Sequence, residues 1–255
     1  MSLKMTFLGT GSAFTVGSNN FQSNVLLQLN GESLLIDAGS DVRFALYDLK
    51  IDYHDIRSVY ISHLHSDHIG GLEWFALSTF FDARYQGKPN LFVSDSVVGD
   101  LWSKSLAGGL STLPNQRASL QTYFNVHSIN KYGTFVWEGI TFKLIQMIHV
   151  FNDYSLMPCF GLMFEYNSKK IFFTADTQYV PDQMMLFYKE ADVIFHDCET
   201  QNFPSGVHAH YKELVTIPPE LKKKIWLYHY NPGQLPDAKK DGFLGFVARG
   251  QSFIF

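Results

Sequence analysis

Three histidines and an aspartate crowd one short stretch, His63-Leu64-His65-Ser66-Asp67-His68. Imidazoles are good ligands for zinc, iron and related ions, and a carboxylate beside them can ligate a second ion or orient a metal-bound water. Residue types packed this closely point to metal-assisted hydrolysis. The preceding residues 57–61 (Arg-Ser-Val-Tyr-Ile) read as a buried strand, and Ile69-Gly70-Gly71 reads as a turn entering a helix at Leu72. The cluster therefore sits at the C-terminal end of a strand, where α/β proteins commonly build their sites.

A site for two ions needs about seven protein ligands, and the cluster supplies four. Three further candidates share one placement, each just past an apolar strand: His149 after residues 142–148, Asp176 after 171–175 and His229 after 225–228. Asp37 and Asp197 also lie at strand ends. They suit either the hydrogen bonds that hold ligand imidazoles in one tautomer or ordinary turns.

Strands and helices must alternate to place these ends together. Residues 6–8 read as a strand leading into a glycine loop, and 24–29 with 33–37 read as a hairpin turning at Asn30-Gly31. Helical spacing is expected over 42–49, 72–84 and 97–106, the last opened by Ser94-Asp95-Ser96, with a strand at 91–93. Residues 107–132 show no clear period. From 134 onward short strands are expected at 135–136, 140–148, 160–166, 170–174, 193–195 and 225–228, with turns at Glu138-Gly139 and Asn167-Ser168 and helices at 181–190 and 211–214. A β-rich half followed by a similar half, with no low-complexity linker, suggests one α/β (α+β) domain over 1–255, two mixed sheets stacked between outer helices in a four-layer αββα sandwich.

Composition narrows the partners. The 255 residues are 46% hydrophobic and 16% aromatic, enough for a large core. A net charge of -4 gives no general pull toward nucleic acid or an anionic membrane, and the triple basic run Lys222-Lys223-Lys224 reads as a solvated helix end. Two cysteines, Cys159 and Cys198, do not make a disulfide framework and read as core residues. With no stretch of about 20 apolar residues, a cytoplasmic location is expected, without membrane association.

The chain resembles the metallo-β-lactamase-fold superfamily, whose H-x-H-x-D-H motif matches residues 63–68. Within it, Phe7-Leu8-Gly9-Thr10-Gly11-Ser12-Ala13, Leu35-Ile36-Asp37-Ala38-Gly39 and Phe173-Thr174-Ala175-Asp176-Thr177 are similar to the branch holding ribonuclease Z, the phosphonate-pathway phosphodiesterase and pyrroloquinoline quinone biosynthesis protein B. The resemblance implies that His63, His65 and His149 hold one divalent ion, that Asp67, His68 and His229 hold the other, and that Asp176 bridges them. Zinc is the expected metal, with manganese or iron as alternatives. It also implies a catalytic histidine upstream of the last ligand, for which His208 and His210 compete, and homodimerisation as a family-level expectation.

Two departures argue against tRNA as substrate: only residues 151–174 fit where ribonuclease Z inserts its long arm, and Phe173 stands where that family has an acidic residue. The expected reaction is hydrolysis of a small phosphodiester or nucleotide by a metal-activated hydroxide, with Asp67 handling the proton of the nucleophile and His208 or His210 serving the departing oxygen. Phe14, Tyr154, Tyr179 and Phe203 are candidates to stack on a base or sugar. Hydrolysis of a lactone, thioester or other carboxyl ester at the same site is the alternative, and a non-catalytic carrier of small anions is a third reading.

Overall fold

The computed structural model describes residues 2–17 and 19–255; Met1 and Ser18 lie outside the described residues. The strands are β1 (Lys4–Gly9), β2 (Asn24–Leu29), β3 (Glu32–Ile36), β4 (Ser58–Ile61), β5 (Asn90–Ser94), β6 (Thr112–Leu113), β7 (Gln116–Arg117), β8 (Asn125–Ile129), β9 (Thr134–Trp137), β10 (Ile140–Gln146), β11 (Phe160–Tyr166), β12 (Lys169–Phe173), β13 (Val193–Asp197), β14 (Ile225–Tyr228), β15 (Gly245–Phe246) and β16 (Ser252–Ile254). One sheet has the order β16-β1-β2-β3-β4-β5-β8 and the other β15-β14-β13-β12-β11-β10-β9; β6 and β7 form a small separate hairpin. In the first sheet β3, β4, β5 and β8 run parallel, and in the second β12 to β15 do. Parallel strands bring successive C-terminal ends to the same edge. Both sheets therefore offer a row of strand ends, which is what the scattered ligands require.

Aromatic side chains fill the space between the sheets in two groups. Phe7 and Phe253 from β1 and β16 meet Phe195 from β13, with ring centroids 5.1 and 4.8 Å from it, and Tyr228 from β14 lies 5.6 Å from Phe7. At the other end Tyr60 and Phe92 stack on Phe135 at 5.6 and 4.5 Å, and Phe135 stacks on Phe142. Burying rings of this size removes the largest apolar areas in the chain from water. The hydroxyl of Tyr60 donates to the Phe160 carbonyl, so the polar tip of a buried ring is satisfied across the sheets. Helices Val42–Asp48 and Asp95–Asp100 pack on the first sheet and Pro181–Glu190 on the second, giving the expected four layers.

The β2/β3 hairpin turns as its sequence predicts. Asn30 and Gly31 adopt φ of 57° and 87°, the doubly left-handed conformation that an Asn-Gly turn supplies at least cost. Helix Pro181–Glu190 matches the expected span, with proline in its first turn. The expected helix 72–84 ends at Phe81, because Asp82 turns extended and takes up Arg84 and Tyr53. Residues 97–106 begin as an α-helix capped by Ser94, then widen into a π-helix over Leu101–Leu106. The basic run is also not the solvated end expected: Lys222 is buried with its Nζ on the Val215 carbonyl, and Lys224 reaches the Ala191 carbonyl. No helix among the described residues is long and apolar enough to cross a membrane.

Candidate metal centre

The short helix Ser66–Ile69 follows β4 after a four-residue loop that carries His63 and His65, and it turns Asp67 and His68 inward. Its carbonyls leave little room: a Cβ on Gly39 would lie 2.1 Å from the Asp67 carbonyl oxygen, so only glycine lets the two loops touch. From the second sheet, His149 arrives past β10, Asp176 past β12 and His229 immediately past β14. Ala175 (φ 53°) and His229 (φ 62°) are held in the left-handed region, and so is Asp37 (φ 63°) past β3. Such strain at non-glycine residues persists where surrounding structure over-determines it, and it gathers here at the site.

The seven side chains converge in two groups that share one member. His63, His65, His149 and Asp176 form one; Asp67, His68, Asp176 and His229 form the other, with ligand atoms within 4.8 Å of one another. The Nδ1 of His65 stands 3.1 Å from the Nε2 of His63 and 3.1 Å from that of His149. Nitrogens bound to zinc at 2.0–2.1 Å in a tetrahedron are separated by about 3.3 Å. Asp176 Oδ2 lies 3.3 Å from His68 Nε2, 3.6 Å from His229 Nε2 and 3.7 Å from the Nε2 of both His63 and His149. Both Asp176 oxygens are buried and take no hydrogen bond. An orphaned carboxylate of this kind is costly unless a cation sits against it, and the donor set suits divalent metal in both groups.

Tautomers follow from the outer nitrogens. Asp37 accepts from the Ser62 amide at 2.8 Å, from the Ser62 hydroxyl at 2.7 Å and from His68 Nδ1 at 2.8 Å. Ser62 Oγ, its hydrogen spent on Asp37, accepts from His63 Nδ1 at 3.0 Å. His149 Nδ1 donates to the Val207 carbonyl at 2.7 Å. The Nε2 lone pairs of His63, His68 and His149 therefore point into the site. In the second sheet Asp197 repeats the part of Asp37: it accepts from the Thr177 amide at 2.9 Å and from His208 Nδ1 at 2.8 Å, and its other oxygen faces His229 Nδ1 at 3.3 Å.

The electrostatics differ between the groups. Burial lowers the pKa of His63, His65 and His149, keeping them neutral and ready to ligate. Burial also opposes charge on His68 and His229, but Asp176 and neighbouring carboxylates outweigh it, raising His68 well above its ordinary value and pushing His229 up to about 10. For Asp176 burial alone would raise the pKa; the imidazoles of His229 and His68 overturn it and hold the carboxyl well below its usual range.

Beside the cluster opens a cavity of about 320 Å³ lined by His65, Asp67, His208 and His229, among others. His208 projects into it with Nδ1 tied to Asp197, leaving Nε2 for the cavity. Burial disfavours its charge, and Asp197 outweighs that to raise its pKa. His210, the competitor, lies elsewhere: its Nε2 donates to the Gln201 carbonyl and its Nδ1 accepts from the Lys212 amide as the cap of helix Tyr211–Leu214. Of the aromatic candidates Phe14 lines the cavity, Tyr154 and Phe203 are exposed, and Tyr179 contacts Thr216. Cys159 and Cys198 are buried and free, and the Cys159 thiol reaches the Asp176 carbonyl at 3.3 Å. Sequence reasoning missed Ser62, Glu199 and Asn231. The last two lie two residues beyond Asp197 and His229, with no pattern of their own in the sequence to mark them.

Solved structures share this fold. A crystal structure described as a new diphosphatase from the PhnP family superposes with a TM-score of 0.76 at 20% identity, covering 100% of this chain and 98% of that one. The metallo-β-lactamase fold protein YhfI from Bacillus subtilis gives 0.75 at 19%, covering 100% and 99%. The fold is thus that of the metallo-β-lactamase superfamily. By sequence the chain is 36% identical over 229 residues to the anti-Pycsar protein Apyc1 of Paenibacillus harenae, covering 89% of this chain and 90% of the relative. To the protein of the same name from Bacillus phage vB_BsuM-Goe3 it is 35% identical over 263 residues, covering 98% of each. The family model for anti-Pycsar protein Apyc1 matches residues 3–253, and the chain belongs to that family.

Proposed function

We propose that this member of the Apyc1 family is a metal-dependent phosphodiesterase that hydrolyses a small phosphodiester or nucleotide at a pair of divalent ions, with zinc the expected metal. The observation that carries the reading is the convergence of five imidazoles and two carboxylates in two groups sharing Asp176, beside a cavity that also holds His208. Residues His63, His65 and His149 would hold one ion, Asp67, His68 and His229 the other, and Asp176 both. When bound, the ions lower the pKa of water and neutralise the non-bridging oxygens of the phosphate. The likeness in fold to a protein described as a diphosphatase supports phosphorus chemistry over carbon.

The protein's own groups supply the proton traffic. Asp67 lines the cavity and accepts or orients the proton of the attacking water. His208 is anchored at Nδ1 and carries a proton on Nε2 longer into the neutral range than a free imidazole, because Asp197 stabilises its charge; it donates that proton to the departing oxygen. We assign this role to His208 rather than His210, whose two nitrogens are both engaged in capping and loop contacts. A homodimer working in the cytoplasm without tRNA or membrane partners remains part of this reading.

Metal analysis of purified protein, coupled to turnover of bis(4-nitrophenyl) phosphate and of cyclic nucleotides, tests the proposal. Two equivalents of metal with phosphodiester turnover lost in His68→Ala are expected. Lactone or thioester turnover without phosphodiester turnover would overturn it in favour of a carboxyl-ester hydrolase, and tight anion binding without any turnover in favour of a carrier. His208→Ala is expected to lower kcat by roughly 10²- to 10³-fold with metal content unchanged.

A further inference from the structure

We propose that Glu199 makes the cavity a charge filter, admitting phosphodiesters whose only phosphate is the one presented to the metal centre and rejecting substrates that carry a second phosphate beside it. This rests on the phosphodiesterase reading and adds a selectivity to it.

Glu199 follows β13 by two residues and is fixed by its backbone, the amide donating to the Ala209 carbonyl and the carbonyl accepting from the Tyr211 amide, each at 2.9 Å. The residue is 2% exposed. One carboxylate oxygen accepts from the Ser205 amide at 2.8 Å and the other from Gln201 Nε2 at 3.2 Å. A carboxylate has about four acceptor positions, so acceptor capacity remains on a residue that lines the cavity.

The rest of the wall gives this charge its weight. Among the described residues lining the cavity there is no lysine or arginine; Ser12, Ser66, Gln201, Ser205 and Asn231 are neutral. Lys212 lines a separate depression with His210. A phosphate at the metal centre has its charge met there. A second one finds no lysine or arginine, with His208 already committed to the departing oxygen, and faces a fixed carboxylate in a partly enclosed cleft, where like charges are poorly screened. At about 320 Å³ the cavity lies at the small end of ligand pockets, and Glu199 forms part of its wall. A neutral hydroxyl or amino group on the substrate, by contrast, meets a preset acceptor there.

The test compares two chromogenic probes that differ by one phosphate: thymidine 5′-(4-nitrophenyl phosphate) and its 3′-phosphorylated form. The ratio of their kcat/KM values within one preparation does not depend on the fraction of active enzyme, so partial misfolding of a variant cancels. Wild type is expected to favour the first probe by about tenfold or more, and Glu199→Gln to bring the ratio within about threefold of unity. Asn231→Asp, which adds a carboxylate to the same wall while keeping an acceptor for the Thr200 amide, is expected to raise the ratio. Equal use of both probes by wild type, or an unchanged ratio in Glu199→Gln, overturns the proposal; if that variant is inactive, an unchanged ratio in Asn231→Asp does so. Turnover of neither probe nor of bis(4-nitrophenyl) phosphate by wild type overturns the phosphodiesterase reading itself.

Discussion

Asp37 governs two imidazoles of the candidate metal centre at once, His68 directly and His63 through the Ser62 hydroxyl. Replacing it by asparagine removes a charge and leaves its three donors fewer lone pairs, so Asp37→Asn is expected to weaken metal binding by about 10- to 100-fold in chelator competition. An affinity within twofold of wild type would remove Asp37 from this role. A second buried imidazole tests the electrostatics away from the metal. His196 accepts from the Tyr188 hydroxyl and donates to the Asp197 carbonyl, and burial lowers its pKa. The unfolded chain therefore binds the proton more readily, and stability falls as pH drops below about 6.5, by up to about 1.4 kcal/mol per pH unit until the folded form also protonates. The melting temperature of wild type should drop more steeply between pH 7 and 5 than that of His196→Gln; parallel curves would exclude His196 as the source. At this scale the sequence was most readable where chemistry is local. The cluster at 63–68 stands out by density, and His149, Asp176 and His229 by their shared place past apolar strands. Glu199 was not readable, because a glutamate acquires its meaning only from the cavity it faces.

At the scale of elements, loops touching across the site matter more than strand interiors. Gly39→Ala would drive a methyl group against the Asp67 carbonyl, and the short helix carrying Asp67 and His68 must shift to make room. Metal content is expected to fall toward one equivalent, with the three-histidine group still loaded; two equivalents with unchanged affinity would show that the loop yields without disturbing its ligands. Elements with their own punctuation were legible, such as the Asn30-Gly31 hairpin and the helix opened by Pro181. Residues 107–132 were not, since their helices run only four residues and β8 buries little more than Ile129, too little for either period to register. Two-residue β15 and three-residue β16 escaped for the same reason.

Across the whole molecule, each candidate ion takes ligands from both sheets: His63 and His65 with His149 in one group, Asp67 and His68 with His229 in the other, and Asp176 in both. A cation bound there ties the halves of the sandwich, and binding free energy becomes folding free energy. Metal at 100 times its Kd should add about 2.7 kcal/mol of stability, raising the melting temperature, and a chelator should reverse the gain. Identical melting with and without chelator would mean that the sheets hold the site in shape unaided.

β1 and β16 lie side by side, pairing Lys4 with Ile254 and Met5 with Phe253, and Phe253 is among the rings that meet Phe7 and Phe195 between the sheets. A strand made early in synthesis thus waits for one made about 250 residues later before its edge is covered. On the ribosome that edge stays open to chaperones and to sticky encounters until β16 has emerged.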